Sequence, residues 1–197
     1  FKTRSGDLVK LADLLDEAES RALELVSEKN PELDDIQKRN IAAVVGVAAV
    51  KYADLSKNRT SDYVFNWETM LSFDGNTAPY LLYAYARIQS LVARYEKRFG
   101  CNDNEIISVS FFEERTLLIK IQQLDETLDS VSRELAPNLL CNYLYELAGT
   151  FMSFYEACPI LNAEEDIRRT RLAIVVLTAE TLKQGLEMLG ISPLNKM

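Results

Sequence analysis

The sequence predicts an all-α chain, a helical bundle preceded by a mostly helical segment. Three observations carry that prediction. Apolar residues recur at three- and four-residue steps through most of the 197 residues. Caps and breakers fall between these periodic stretches. Strand character is confined to one short stretch, residues 7–11.

After that stretch, Leu11, Leu14, Leu15, Ala18, Ala22 and Leu25 mark an amphipathic helix that stops at Asn30-Pro31. A second helix is expected from about Asp34 to Leu55. Its middle, Ile41 to Val50, is apolar on nearly all sides and is expected to be buried. Periodicity then fails across Ser56–Trp67, where a polar run precedes Tyr63-Val64-Phe65-Asn66-Trp67, and the segment reads as a functional loop. A turn at Asp74-Gly75-Asn76 follows, with Thr77 as cap and Pro79 in the first turn of a helix reaching about Arg98. The next helix is expected from the capping box Ser110-Phe111-Phe112-Glu113 to about Leu135. Two more run from Pro137 to about Ala157 and from Ala163 to Leu189, the last with Asn162 as cap and Gly190 just beyond its end. The tail from Ile191 to Met197 cannot continue a helix and is expected to lie across the bundle or fray. A boundary between residues 1–70 and 71–197 is expected near the turn.

Composition narrows the function. Hydrophobic side chains make up 48% of the chain, enough for a sizeable core, and no apolar run approaches the roughly 20 residues that span a bilayer. The first residue is Phe1, and the sequence reads as a fragment of a cytoplasmic protein. Cys101, Cys141 and Cys158 are odd in number and widely spaced, as expected of core thiols in a reducing compartment. Histidine is absent, which removes the commonest general base, the Ser-His and Cys-His pairs and most zinc arrangements. No metal site is expected. Carboxylate runs such as Asp16-Glu17-Glu19 and Glu164-Glu165-Asp166 read as solvated helix faces. A net charge of -8 opposes phosphate binding, so any nucleic-acid contact has to use local patches.

Three constellations stand out. Tyr80, Tyr83 and Arg87 share one helix face, as a stacking platform for unpaired bases would require, although core tyrosines with surface hydroxyls give the same spacing. Lys57 and Arg59, beside Lys51 and before Trp67, could grip phosphates or sit in a solvated loop. Arg168-Arg169-Thr170-Arg171 could join Arg94, Lys97 and Arg98, or each run could be a solvated face.

Several long segments together resemble bacterial arginyl-tRNA synthetases. They are Lys51-Tyr52-Ala53-Asp54-Leu55-Ser56-Lys57-Asn58-Arg59, Asp62-Tyr63 to Trp67, Met70-Leu71-Ser72-Phe73-Asp74-Gly75-Asn76-Thr77-Ala78-Pro79-Tyr80, and Tyr83-Ala84-Tyr85-Ala86-Arg87-Ile88. The likeness extends to Phe1–Gly6, to Cys141–Ala148 and to Phe154–Leu161, and so covers essentially the whole chain. It implies a class I ligase that joins arginine to its tRNA using ATP and magnesium, with the catalytic half missing and this chain inactive alone. Lys2 and Arg4 look like the remnant of the loop that holds ATP phosphates. Residues from about 75 onward correspond to the family's helical anticodon-binding domain, whose Asp-Ala-Leu-Arg pattern appears as Ala84-Tyr85-Ala86-Arg87, keeping only the arginine. The resemblance places Tyr80, Tyr83, Tyr155 and Met197 against unstacked anticodon bases, with Lys57, Arg59 and Arg87 on nearby backbone. The expected partner is arginine tRNA and the expected state a monomer. A stand-alone helical protein-interaction module and the anticodon-binding domain of another class I synthetase are the alternatives.

Overall fold

The computed structural model describes residues 10–100 and 108–197. Lys2, Arg4, Cys101 and most of the expected strand lie outside the described residues. Among those described, Lys10 leads directly into helix α1 (Leu11–Lys29), where the strand was expected to end.

Helix α2 (Asp35–Leu55) starts at a reciprocal cap: the Asp34 carboxylate accepts from the Gln37 backbone N–H, and the Gln37 side chain accepts from that of Asp34. The connecting turn is short, so α1 and α2 pack as a helical hairpin. Residues Ile41, Ala42, Val45, Gly46, Ala48 and Ala49 are buried, as their apolar run requires. Gly46 lies directly on α1. A Cβ there would come within 2.8 Å of the Ala18 carbonyl and the Glu19 Cα.

The segment after α2 is irregular except for the single turn α3 (Trp67–Met70), capped by the Asn66 side chain. Helix α4 (Ala78–Phe99) takes its cap from Thr77 and ends at Gly100, whose φ of 83° stops the helix. The helix expected over 110–135 is two helices, α5 (Phe112–Gln122) and α6 (Leu124–Glu134), with the break at Gln123. The capping box is also displaced by one residue. Glu114, not Glu113, reaches back to accept from the N–H groups of Ser110 and Phe111. Helix α7 (Asn138–Ala157) forms as expected, and α8 runs over Glu165–Met188. Asn162 does not cap α8; its side chain accepts from Arg98 at 3.3 Å.

Helix α7 is the centre of the packing, touching α2, α4, α5, α6 and α8. One apolar core runs from Ala22 and Val26 through α2, α4 and α7 to Leu186 and Ile191. It is therefore continuous across residues 70–77. Burial of apolar surface is what holds such an assembly, at about 25 cal/mol per Å². Cys141 and Cys158 are free thiols inside this core. Among the described residues, no helix is long and apolar enough to cross a membrane.

Two polar anchors sit within the apolar packing. The Tyr52 hydroxyl of α2 bonds the Cys141 carbonyl of α7 at 2.9 Å and the Asn76 side chain, which in turn donates to Asn142 at 3.0 Å. Arg171 of α8 pairs with Glu114 at 2.7 Å, donates to the Pro159 carbonyl at 2.6 Å, and stacks over Phe111. Both charged side chains of that pair are almost fully buried, at 4% and 2% exposure. The run 168–171 is thus not a single solvated face.

Candidate nucleic-acid interface

Helix α4 presents two faces because its apolar residues repeat at helical spacing. Leu81, Leu82, Tyr85, Ile88 and Leu91 point into the core, whereas Tyr83 is 42% exposed and Arg87 half-buried. Seven residues beyond Arg87 is two turns along the helix, which puts Arg94 on the same exposed face.

That face forms one wall of an open cavity of about 590 Å³, lined by Tyr83, Arg87 and Arg94 of α4, by Tyr155 of α7, and by Lys196 and Met197 of the tail. Asn30, Glu32 and Leu33 of the α1–α2 turn also line it. Four predicted residues, Tyr83, Arg87, Tyr155 and Met197, therefore meet in one place. The tail does not fray: Ile191 is buried, and Leu194 and Met197 pack against the core.

Within the cavity, aromatic rings lie beside cations. Arg87 lies 4.8 Å from the centre of the Tyr155 ring. A hydrogen bond from Arg94 to the Tyr155 hydroxyl, helped by Arg87, holds that phenol below its usual range against the opposing effect of burial. Tyr83 stands edge-on to Phe73, with ring centres 6.0 Å apart. Three cations, Arg87, Arg94 and Lys196, share this lining with one acidic side chain, Glu32, so the side-chain charge is locally positive on a chain of net charge -8. An aromatic surface with flanking donors can bind and orient a base; it carries no nucleophile paired with a base.

The remaining predicted residues lie elsewhere. Tyr80 does not line this cavity. Its ring contacts Tyr145 of α7 at 5.5 Å, and burial, then Tyr145 and Asp74, push its phenol upward. Lys57 is exposed and borders a smaller depression beneath the 56–66 loop, near Tyr63 and Asn66. Arg59 donates to the Leu135 carbonyl at the end of α6 at 3.0 Å. Arg98 and Arg168 converge on the Phe99 ring, at 4.9 and 4.0 Å, away from the cavity lining.

Sequence reasoning missed Asn30, Glu32 and Leu33, and it put Arg94 in a different group. Arg94 was available from its two-turn spacing to Arg87. Nothing local to the α1–α2 turn announces that it meets α4. Among the described residues, no group of three or more Cys, Asp or Glu side chains is placed to hold a metal ion.

The chain matches the family described as DALR anticodon binding domain over residues 81–197, and that of the class I (R) tRNA synthetase catalytic domain over residues 1–67. It is 57% identical to the arginine-tRNA ligase of a Marinomonas species and 53% identical to that of Photobacterium profundum, in both cases over 100% of this chain and 34% of the relative. The chain thus spans about a third of the length of the curated relatives it matches. Among solved structures it is similar to Thermus thermophilus arginyl-tRNA synthetase, with a TM-score of 0.88 and 32% identity over 98% of this chain and 33% of the other. The Plasmodium falciparum arginyl-tRNA synthetase aligns with a TM-score of 0.84 and 29% identity, over 96% and 34%.

Proposed function

The chain belongs to the DALR anticodon binding domain family, and on that premise we propose that it holds the anticodon end of an arginine tRNA for a parent arginine-tRNA ligase. The observation that carries this reading is the meeting of Tyr83, Arg87, Tyr155 and Met197 around one cavity. An unstacked base between an aromatic ring and a thioether, with guanidinium donors at its edge, needs those four groups together. Each stacked base is worth roughly 1–3 kcal/mol, so two or three such contacts offset the repulsion between RNA and an acidic chain. Residues 71–197 make up the anticodon-binding unit in this reading, and residues 1–70 the end of the catalytic core and the segment that meets the tRNA stem. Tyr80 serves a neighbouring base against Tyr145. Lys57 and Arg59 position backbone near the 56–66 loop.

In the parent, arginine is activated with ATP and magnesium before transfer to tRNA. Residues 1–67 match the class I catalytic domain, and in this reading they supply the end of the catalytic core while the rest of the parent supplies the remainder of the catalytic fold. The compartment is the cytoplasm and the parent a monomer. Support for the arginine assignment is the identity across the whole chain to arginine-tRNA ligases.

The test is binding of the chain to arginine tRNA and to a non-cognate tRNA at two salt concentrations, repeated with Tyr83→Ala. Preference for the arginine species that survives added salt, lost in the variant by about tenfold or more with unchanged melting, is the expected result. Equal binding of both tRNAs would remove anticodon reading from this chain, and binding of neither would favour a protein-interaction module.

A further inference from the structure

The cavity depends on a tail that must arrive at one place, and the structure contains a device for aiming it. Helix α8 ends in a two-bond turn: the Gly190 N–H donates to the Glu187 carbonyl and the Ile191 N–H to the Leu186 carbonyl, each at 2.9 Å. Gly190 holds a φ of 69°, in the left-handed region that glycine adopts without a Cβ penalty. That freedom extends to its ψ. Rotation of its ψ would flip the 190–191 peptide, break the Ile191 N–H bond to Leu186 and send the chain in another direction. The Gly190 carbonyl, which the turn itself does not use, accepts the ammonium of Lys51 at 2.6 Å across 139 residues of sequence. A cation is favoured there by the negative end of α8 as well as by the charge-assisted bond. The donor's own backbone is held, since the adjacent Tyr52 is locked by its bonds to Asn76 and to the Cys141 carbonyl.

We infer that Lys51 is a positioning residue for the base-binding cavity: its ammonium sets the 190–191 peptide so that Ile191 enters the core and Met197 reaches Tyr83 and Tyr155. Sequence reading put Lys51 with Lys57 and Arg59 as a cation for phosphates. Its bond to Gly190 gives it a different task. The aim of the tail stands on the structure alone, and only the consequence for RNA rests on the function proposed above.

The chain has four methionines, Met70, Met152, Met188 and Met197, so labelling their methyl groups with carbon-13 gives few enough signals to follow each one. Lys51→Ala is expected to move the Met197 signal toward that of a solvated methionine and narrow it, leaving Met70 and Met152 in place, and Lys51→Arg is expected to restore it. Affinity for arginine tRNA is expected to fall about three- to tenfold in Lys51→Ala, the net scale of one ordinary hydrogen bond. In a Met197→Ala background the same change is expected to cost nothing further, because the two residues act in series. An unmoved Met197 signal in Lys51→Ala overturns the inference, whatever the RNA result. Losses that add in full overturn it too, since Lys51 would then be touching RNA itself. A wild-type chain that binds no arginine tRNA defeats the proposed function, while the methyl signals still decide whether Lys51 aims the tail.

Discussion

The α1–α2 hairpin and the α5–α8 part of the bundle are held by opposite means. In the hairpin the contact is made by what is missing: Ala18, Ala22, Ala42 and Gly46 are buried, and at Gly46 the second helix rests on the backbone of the first. Around α5, α7 and α8 the spacing is set by bulk and by polar anchors, with Phe151, Phe154, Leu117 and Leu172 fully buried beside the Glu114–Arg171 pair. The first arrangement tolerates no added atom. The second tolerates no removed one.

Breaking the buried pair is expected to have the largest effect. Arg171→Met keeps the apolar stem but leaves the Glu114 carboxylate in the core without its guanidinium, and removes the bond to the Pro159 carbonyl. The expected loss is about 3–5 kcal/mol, read from urea unfolding at neutral pH. Pairing the change with Glu114→Gln is expected to recover part of that loss, because the uncompensated charge goes while an acceptor for the N–H groups of Ser110 and Phe111 remains. A single-variant loss under about 1 kcal/mol would mean that water reaches Glu114, and the contrast between the two regions would fail at its strongest point.

The hairpin is sharpened by comparing two glycines. At Gly46 an added Cβ meets backbone at 2.8 Å, which cannot swing aside, so Gly46→Ala is expected to cost about 1–3 kcal/mol by forcing α1 and α2 apart. Gly149 lies mid-way along α7, where a Cβ would meet nothing within 4 Å. Gly149→Ala is therefore expected to gain about 0.5–1 kcal/mol from helix propensity. Thermal melting of both variants reads the difference. Equal effects would reduce the Gly46 contact to backbone preference alone.

Helix existence was legible wherever the apolar period was sustained and bounded by punctuation, as in α2, α4 and α7. The break at Gln123 was not. Apolar residues continue from Leu117 through Leu124 and Leu128 to Val131 without Gly or Pro, so the local pattern reads as one helix. Counting three residues from Ser110 selected Glu113 as the capping acid; tertiary pairing selected Glu114, because that carboxylate also meets Arg171 of a distant helix. The site divides in the same way. Tyr83 and Arg87 followed from spacing, while Tyr155 and Met197 came only with the family resemblance. The α1–α2 turn joins them through packing, which no local pattern encodes.

A titration separates the regions by pH. Burial, the dominant cause, pushes the Cys141 thiol of α7 up to about 12 from an ordinary value of 9.0. A group whose folded value lies above its unfolded one contributes stability that is intact below pH 9 and is lost as pH climbs from 9 toward 12. At pH 10 that loss is about 1.4 kcal/mol, one unit beyond the unfolded value. Burial and Cys141 also push Tyr52 upward, but its carbonyl partner is backbone and survives replacement of the cysteine side chain. Cys141→Ala therefore carries a constant packing cost and a shallower decline between pH 8 and pH 10 than the wild type. Urea midpoints at the two pH values measure both parts. Parallel declines would show that the thiol reaches solvent in the folded state, and that the α7 core is looser than the hairpin it is set against.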